Sequence, residues 1–112
     1  MNRITAVIRL SKLNDVKNAL VRGGVLGMTI TEVQGYGRQK GQTASYRGAK
    51  QAVEFQRKMR LEVMVTSEQT DTIVETIVKA GQTGEIGDGK IFVAPITQTI
   101  RIRTEEQGDD AL

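Results

Sequence analysis

The strongest limit on what this chain can fold into is a pattern stated twice: strand, helix, strand, a long polar interval, then strand, helix, strand again. Arg3 to Arg9 (RITAVIR) is β-branched and largely apolar, which predicts a well-buried strand. Ser11 stands where a cap would start a helix, Leu13, Val16, Ala19 and Leu20 recur at helical spacing, and Gly23-Gly24 ends the run. Met28 to Gly35 reads as a second strand. Arg57 to Val65 alternates, with Met59, Leu61, Val63 and Val65 on one face and Lys58, Arg60, Glu62 and Met64 on the other. Ser67 is read as the cap of a second helix, with Ile73, Val74, Ile77 and Val78 as its buried stripe and Gly81 as its stop. A strand from Lys90 to Ala94 closes at Pro95. A last strand runs from about Ile96 to Arg103, and the acidic tail from Thr104 to Leu112 follows it. The segment Lys17–Gly24 (KNALVRGG) echoes Val74–Gly81 (VETIVKAG) at the same place in each half.

Two split βαβ halves predict an α+β fold, a ferredoxin-like sandwich whose sheet carries both helices on one face, with an extra C-terminal strand. The 112 residues make one domain spanning 1–112. The sheet face without helices needs a cover. A row such as Met59, Leu61, Val63 and Val65 cannot stay wet, so self-association is the simplest expectation.

Composition removes several function classes. Cysteine and histidine are both absent, which excludes thiolate nucleophiles, imidazole bases, disulfides and ordinary zinc sites. The missing disulfides suit a cytoplasmic protein. No stretch approaches the ~20 apolar residues of a membrane span, so no integral membrane segment is expected. The net charge of +3 suits an anionic ligand as well as nucleic acid. Tyr36, Tyr46, Phe55 and Phe92 are the only aromatics, too few for the stacking platforms of an RNA-recognition module of this fold class.

The stretch Thr83-Gly84-Glu85-Ile86-Gly87-Asp88-Gly89-Lys90-Ile91-Phe92-Val93 is the densest in chemistry. Its glycines permit positive φ, successive N–H groups in such a turn make an anion nest, and Lys90 adds a charge at the rim. Gly84 through Lys90 fits the spacing of a P-loop, but Ile91 replaces the hydroxyl residue that would hold Mg²⁺, and a strand follows instead of a helix. A phosphate-binding loop of another type and a plain glycine-rich turn both remain open. Arg101 and Arg103, two apart in the last strand, leave one face together and suit either a polyphosphate or a solvated basic edge. Tyr36 to about Val53 is polar, glycine-punctuated and aperiodic, and an interval of that length in a compact domain is usually functional.

Gly35-Tyr36-Gly37-Arg38-Gln39-Lys40-Gly41-Gln42-Thr43, with Tyr46-Arg47-Gly48 after it, closely resembles the T-loop of the PII signal-transduction proteins, trimeric nitrogen and carbon sensors. Thr83 to Val93 matches that family's second signature, and Ile100-Arg101-Ile102-Arg103-Thr104 its C-terminal strand. The likeness covers the whole chain and looks closest to the cyanobacterial branch. It implies a homotrimer with a T-loop at about 36–53, a phosphate-binding loop at 82–90 and a C-terminal strand and tail at 96–112. ATP or ADP would lie between neighbouring subunits, on Thr29, Gly37, Arg38, Glu62, Met64, Gly87, Asp88, Gly89, Lys90, Arg101 and Arg103. Gln39 would ligate Mg²⁺. 2-Oxoglutarate would meet Gln39, Lys40, Gly41 and Gly87, with Lys58 on its distal carboxylate. The implied role is to sense ATP/ADP and 2-oxoglutarate and to regulate nitrogen and carbon metabolism through T-loop conformation. The readers would be an ammonium transporter or enzymes and regulators of nitrogen metabolism, with Tyr46 and Arg47 at the contact.

The chain departs from the family where relatives are modified. Gln51 stands where uridylylated relatives carry tyrosine, and Ala49 where phosphorylated ones carry serine, so neither modification is expected at those sites. Lys50, the Ala44-Ser45 pair and Gln82 also replace frequent family residues, which implies a changed loop surface. A nucleotide hydrolase is a poorer reading, since there is no histidine and no paired carboxylate to act as base; slow ATP turnover is the most expected. A divergent adenylate sensor with bicarbonate as second ligand is the alternative within the family, against which Gln39 and Lys58 speak.

Overall fold

A computed structural model describes residues 1–36 and 55–112 in full, together with the backbone of Ala44–Tyr46 and Ala49–Gln51. The elements are β1 (Asn2–Arg9), α1 (Leu13–Arg22), β2 (Thr29–Tyr36), β3 (Ala44–Tyr46), β4 (Ala49–Gln51), β5 (Phe55–Val65), α2 (Thr70–Gly81) and β6 (Lys90–Pro95). Four strands form one antiparallel sheet in the order β2-β5-β1-β6, the split βαβ arrangement of a ferredoxin-like fold. Among the described residues, no helix is long and apolar enough to cross a membrane.

Register decides which face is which. β1 and β5 pair with Ile4 opposite Val63 and Ala6 opposite Leu61. Since paired residues share a face, Ile4, Ala6 and Ile8 join Leu61, Val63 and Val65 in one apolar layer. Val16 and Leu20 of α1 and Ile73 and Ile77 of α2 close over that layer, and all ten residues are buried. Apart from Ala6, each of these side chains contributes about 1.5–3 kcal/mol by leaving water.

That register corrects the reason given above for self-association. The row Met59, Leu61, Val63 and Val65 faces the helices of its own chain, and its last three members are buried there. The helix-free face is instead the row Lys58, Arg60, Glu62 and Met64, flanked by Arg3, Thr5, Val7 and Arg9 of β1 and by Lys90 and Phe92 of β6. Phe92 is 57% exposed and Met64 40%.

The helix ends also differ from expectation. Ser11 lies inside a short 3-10 turn (Leu10–Lys12) and makes no capping bond. α2 is entered through Thr66 and Gln69: the Gln69 amide donates to Thr66 Oγ1 at 3.3 Å, and the Thr66 amide donates to Gln69 Oε1 at 3.1 Å. This reciprocal pair, a capping box, does the work assigned to Ser67. The end of α1 follows the glycine signal closely. Val25 N–H donates to Leu20 C=O and Gly24 N–H to Val21 C=O, with Gly24 at φ +90°, which is a Schellman motif. Gly81 is the buried last residue of α2, and a Cβ there would stand 3.4 Å from Val16 Cγ2. It brings the two helices together as well as stopping one of them. Val78, expected in the buried stripe, is exposed.

The expected strand from Ile96 to Arg103 does not form. Pro95 closes β6, and the chain beyond it folds back on itself: Arg101 N–H donates to Glu106 C=O, Glu105 N–H to Arg101 C=O and Gly108 N–H to Thr99 C=O. Only an isolated bridge between Ile100 and Gln107 remains of the pattern. Alternation provides two faces, but a strand also needs a ladder partner, and this segment takes its own tail. The interval expected as a T-loop is entered by longer strands than expected. β2 runs to Tyr36 and β5 begins at Phe55, whose rings meet at a centroid distance of 5.7 Å. Within the loop, β3 and β4 pair antiparallel with Ser45 opposite Lys50.

Leu61 is wholly buried between the strands and both helices. Replacing it by alanine is expected to cost about 2–5 kcal/mol, read from urea unfolding at fixed protein concentration.

Candidate functional site

Residues 82–89 join α2 to β6, and their shape follows from glycine. Gly84, Gly87 and Gly89 all take positive φ. At Gly89 the requirement is absolute, because a Cβ would lie 1.7 Å from the Val7 carbonyl oxygen, so the backbones of the loop and β1 touch directly. At Gly87 a Cβ would enter the space between two cations, 3.2 Å from Arg9 Nη2 and 3.5 Å from Lys58 Nζ.

One carboxylate holds the loop. Asp88 accepts from the Thr83 and Gly84 amides at 2.9 Å each, from the Thr83 hydroxyl, and from Arg9 Nε at 3.0 Å. Its carboxyl is thereby held well below the usual carboxylate range, chiefly by the Thr83 hydroxyl and amide, with Arg9 and Gly84 adding to them. Arg9 also donates Nη2 to the Ile86 carbonyl at 2.8 Å. Lys58, opposite Arg9 in the β1–β5 register, donates its ammonium to the Gly87 carbonyl. Lys58 is only 7% exposed. Burial and, after it, the neighbouring Arg9 charge push its amine below the ordinary lysine value, while Asp88 acts in the opposite sense. The result is two cations and one carboxylate gathered against the loop, with both cations bonded to its carbonyls and Arg9 also to Asp88.

Lys58 also reaches the end of β2, where the interval expected as a T-loop begins. A Cβ on Gly35, next to the end of β2, would stand 3.2 Å from Lys58 Cγ, so the loop's root packs on the lysine that grips Gly87.

A cleft of about 510 Å³ lies at the other end of β5. Its walls include Thr29, Glu62 and Met64, together with Gly24–Met28, Thr99 and the tail residues Asp109, Ala111 and Leu112. Arg101 stands beside this cleft and donates Nη2 to the Leu112 carbonyl oxygen at 3.1 Å; its Nη1 lies 3.6 Å from Glu106. Lys58 and Met64 are six residues apart on β5, which separates the two ends by roughly 20 Å at ~3.3 Å per residue.

The family model for nitrogen regulatory protein P-II matches residues 1–106. This chain belongs to that family. A P-II protein of Nostoc punctiforme is 52% identical, one of a Synechocystis species 50%, and the P-II 1 protein of Escherichia coli 51%, each over the full 112 residues of both chains. Cyanobacterial and enterobacterial relatives thus stand at nearly the same distance. P-II proteins are regulatory proteins and not enzymes, and the chain shares that character.

Among the residues expected at a P-II site, the structure gathers two groups. Gly87, Asp88, Gly89, Lys90 and Lys58 meet at one end, and Thr29, Glu62 and Met64 meet at the other with Arg101 near them. Asp88 turns inward to tie its own loop, so its part there is to shape the site. The expected alignment of the two arginines on one strand is corrected: a turn at 102–104 replaces that strand, and Arg101 is engaged by Glu106 and Leu112 of the acidic tail, as the basic-edge reading has it. Gly37, Arg38, Gln39, Lys40, Gly41 and Arg47 lie outside the described residues, as do the side chains of Tyr46, Ala49 and Gln51. Among the described residues no cluster of His, Cys, Asp or Glu could hold a metal ion. Arg9 was missed by sequence reading. Its one signal was a cation closing an otherwise apolar strand.

Because Asp88's folded value lies below the ~3.9 of an unfolded aspartate, its tie contributes stability above that pH and loses it as pH falls toward the folded value. The stability difference between the native chain and Asp88→Asn is expected to hold constant from neutral pH to about 5 and to shrink below about 4, measured by urea unfolding across pH.

Proposed function

We propose that this P-II protein senses ATP or ADP together with 2-oxoglutarate and reports them through its T-loop. The observation that carries this reading is the cluster of Arg9, Lys58 and Asp88 at Gly87. It offers an ammonium and a guanidinium beside a glycine backbone, and Lys58 touches both that backbone and the T-loop root at Gly35. In this reading the adenine rests in the Thr29, Glu62 and Met64 cleft of one chain. The phosphates rest on Gly87, Gly89 and Lys90 of a neighbour, with Arg101 and Arg103 at the adenine end and Gly37 and Arg38 from the T-loop.

A separation of roughly 20 Å within one chain supports a shared site, since a single nucleotide needs both ends close together. The half-exposed Phe92 and Met64 on the helix-free face support the self-association this requires, assigned here as a homotrimer.

Mg²⁺ fits the donor set. It favours oxygens shared between phosphates and few protein groups, and here Gln39 is its protein ligand. 2-Oxoglutarate completes the assembly on Gln39, Lys40, Gly41 and Gly87, with its distal carboxylate on Lys58. Bound there, it changes the contacts Lys58 makes with Gly35, and so biases the T-loop between conformations that partners distinguish. Those partners are an ammonium transporter or enzymes and regulators of nitrogen metabolism, meeting Tyr46 and Arg47. The site of action is the cytoplasm.

Calorimetric titration of 2-oxoglutarate tests the reading. Binding is expected with Mg-ATP and not with ADP, and Lys58→Met is expected to weaken it at least ~10-fold by removing a buried charge-assisted contact. No binding of 2-oxoglutarate in either nucleotide state, with ATP still bound, would overturn the assignment of the second ligand.

A further inference from the structure

We infer that the groove between α2 and the start of β6 is a small-molecule site suited to an acyl carboxylate of medium chain length. Its volume is about 320 Å³, at the lower end of the range for ligand pockets. Val74, Ile77 and Val78 line it from α2, Ile8 from β1 and Ile91 from β6. Gly81 and Gly89 border it and bring no side chain to fill it. At Gly89 none can be added, because a Cβ would lie 1.7 Å from the Val7 carbonyl oxygen. The groove also accounts for Val78, which helical spacing assigns to the buried stripe and which is 42% exposed. Val74 and Ile91 likewise pack against the core without being fully covered.

The lining decides what can occupy this space. An ordered water needs several polar partners, and an aliphatic wall supplies none. The polar groups at the groove are Gln82, Asp88 and Lys90. Asp88 is spent on the Thr83 and Gly84 amides and on Arg9. The Lys90 ammonium makes no hydrogen bond or ion pair among the described residues. The groove therefore offers one aliphatic wall and one open cation. A guest with an alkyl body and a single carboxylate satisfies both, with its head on Lys90 and its chain along α2. A short dicarboxylate would leave the wall wet and bring a second charge toward Asp88.

The test is calorimetric titration of the full chain with butyrate, hexanoate, octanoate and octanol. Each methylene buried on the wall is expected to tighten carboxylate binding by up to about 4-fold. Octanol is expected to bind up to about 5-fold more weakly than octanoate, since it lacks the pair with Lys90. Val78→Phe fills the groove from an exposed helical position and is expected to weaken octanoate at least ~10-fold, with urea unfolding confirming that the variant folds. On the native chain, amide chemical-shift changes with octanoate are expected to centre on Gln82 and Lys90, which locates the site without any substitution. Absence of octanoate binding would mean that a neighbouring copy fills the groove or that nothing does, and the inference fails. It fails equally if affinity is independent of chain length, if octanol binds as tightly as octanoate, if folded Val78→Phe binds unchanged, or if the shifts centre elsewhere.

Discussion

The Asp88 carboxylate is the group on which the candidate site depends. The loop it closes is too glycine-rich and too exposed to be held by packing, and its three positive φ angles leave it without a regular hydrogen-bond ladder. Asp88 supplies the missing acceptor by gathering the Thr83 and Gly84 amides and reaching across to Arg9 on β1. Charge-assisted bonds are stronger than neutral ones, so Asp88, with Arg9 on the Ile86 carbonyl and Lys58 on the Gly87 carbonyl, is enough to hold it. The same carboxylate makes the pairing of Arg9 with Lys58 tolerable, since like charges opposite each other on neighbouring strands repel. With Asp88 turned inward, Gly87 and Gly89 leave that stretch of backbone bare of side chains.

In the proposed reading this arrangement links sensing to output in few steps. Lys58 is buried at a cost in desolvation, and the Gly87 carbonyl offsets part of that cost. Its stem is also the surface on which Gly35, next to the end of β2, rests. A ligand that changes what the ammonium touches therefore acts on the end of β2 without any change in the core. The core itself, ten buried apolar residues between sheet and helices, is a rigid platform. The Lys58 cluster and the Thr29–Glu62–Met64 cleft lie at opposite ends of one long strand, β5, and in the proposed reading each is half of a site completed by a neighbour.

Most of the fold was legible because local pattern and tertiary need agree. The alternation in Arg57–Val65, the helical spacing of Val16 with Leu20 and of Ile73 with Ile77, and Gly24 after α1 each carry their own physical meaning. The errors arose where the deciding partner is distant or a pattern is incomplete. Arg9 and Asp88 are 79 residues apart, and nothing local in either predicts the other. The strand expected after Pro95 had the right alternation, but no sheet edge was taken up by it, and Glu106 claimed Arg101 instead. The capping box at Thr66-Ser67-Glu68-Gln69 was readable from its spacing, yet Ser67 drew attention as the nearer hydroxyl. The choice of which row faced the helices needed the register of β1, which periodicity within β5 alone does not contain.

The most direct test of the account is whether the two ends of β5 serve one ligand across two chains. Gly87→Val fills the space between Arg9 and Lys58 and damages one end, while Thr29→Trp fills the cleft and damages the other. ATP binding is then measured for each variant alone and for an equal mixture refolded together. A site shared between chains predicts no binding by either variant alone, and recovery at roughly a quarter of the interfaces in the mixture, because some neighbours then pair two intact ends. Full binding by one pure variant, or no recovery in a mixture shown to have exchanged subunits, would contradict it.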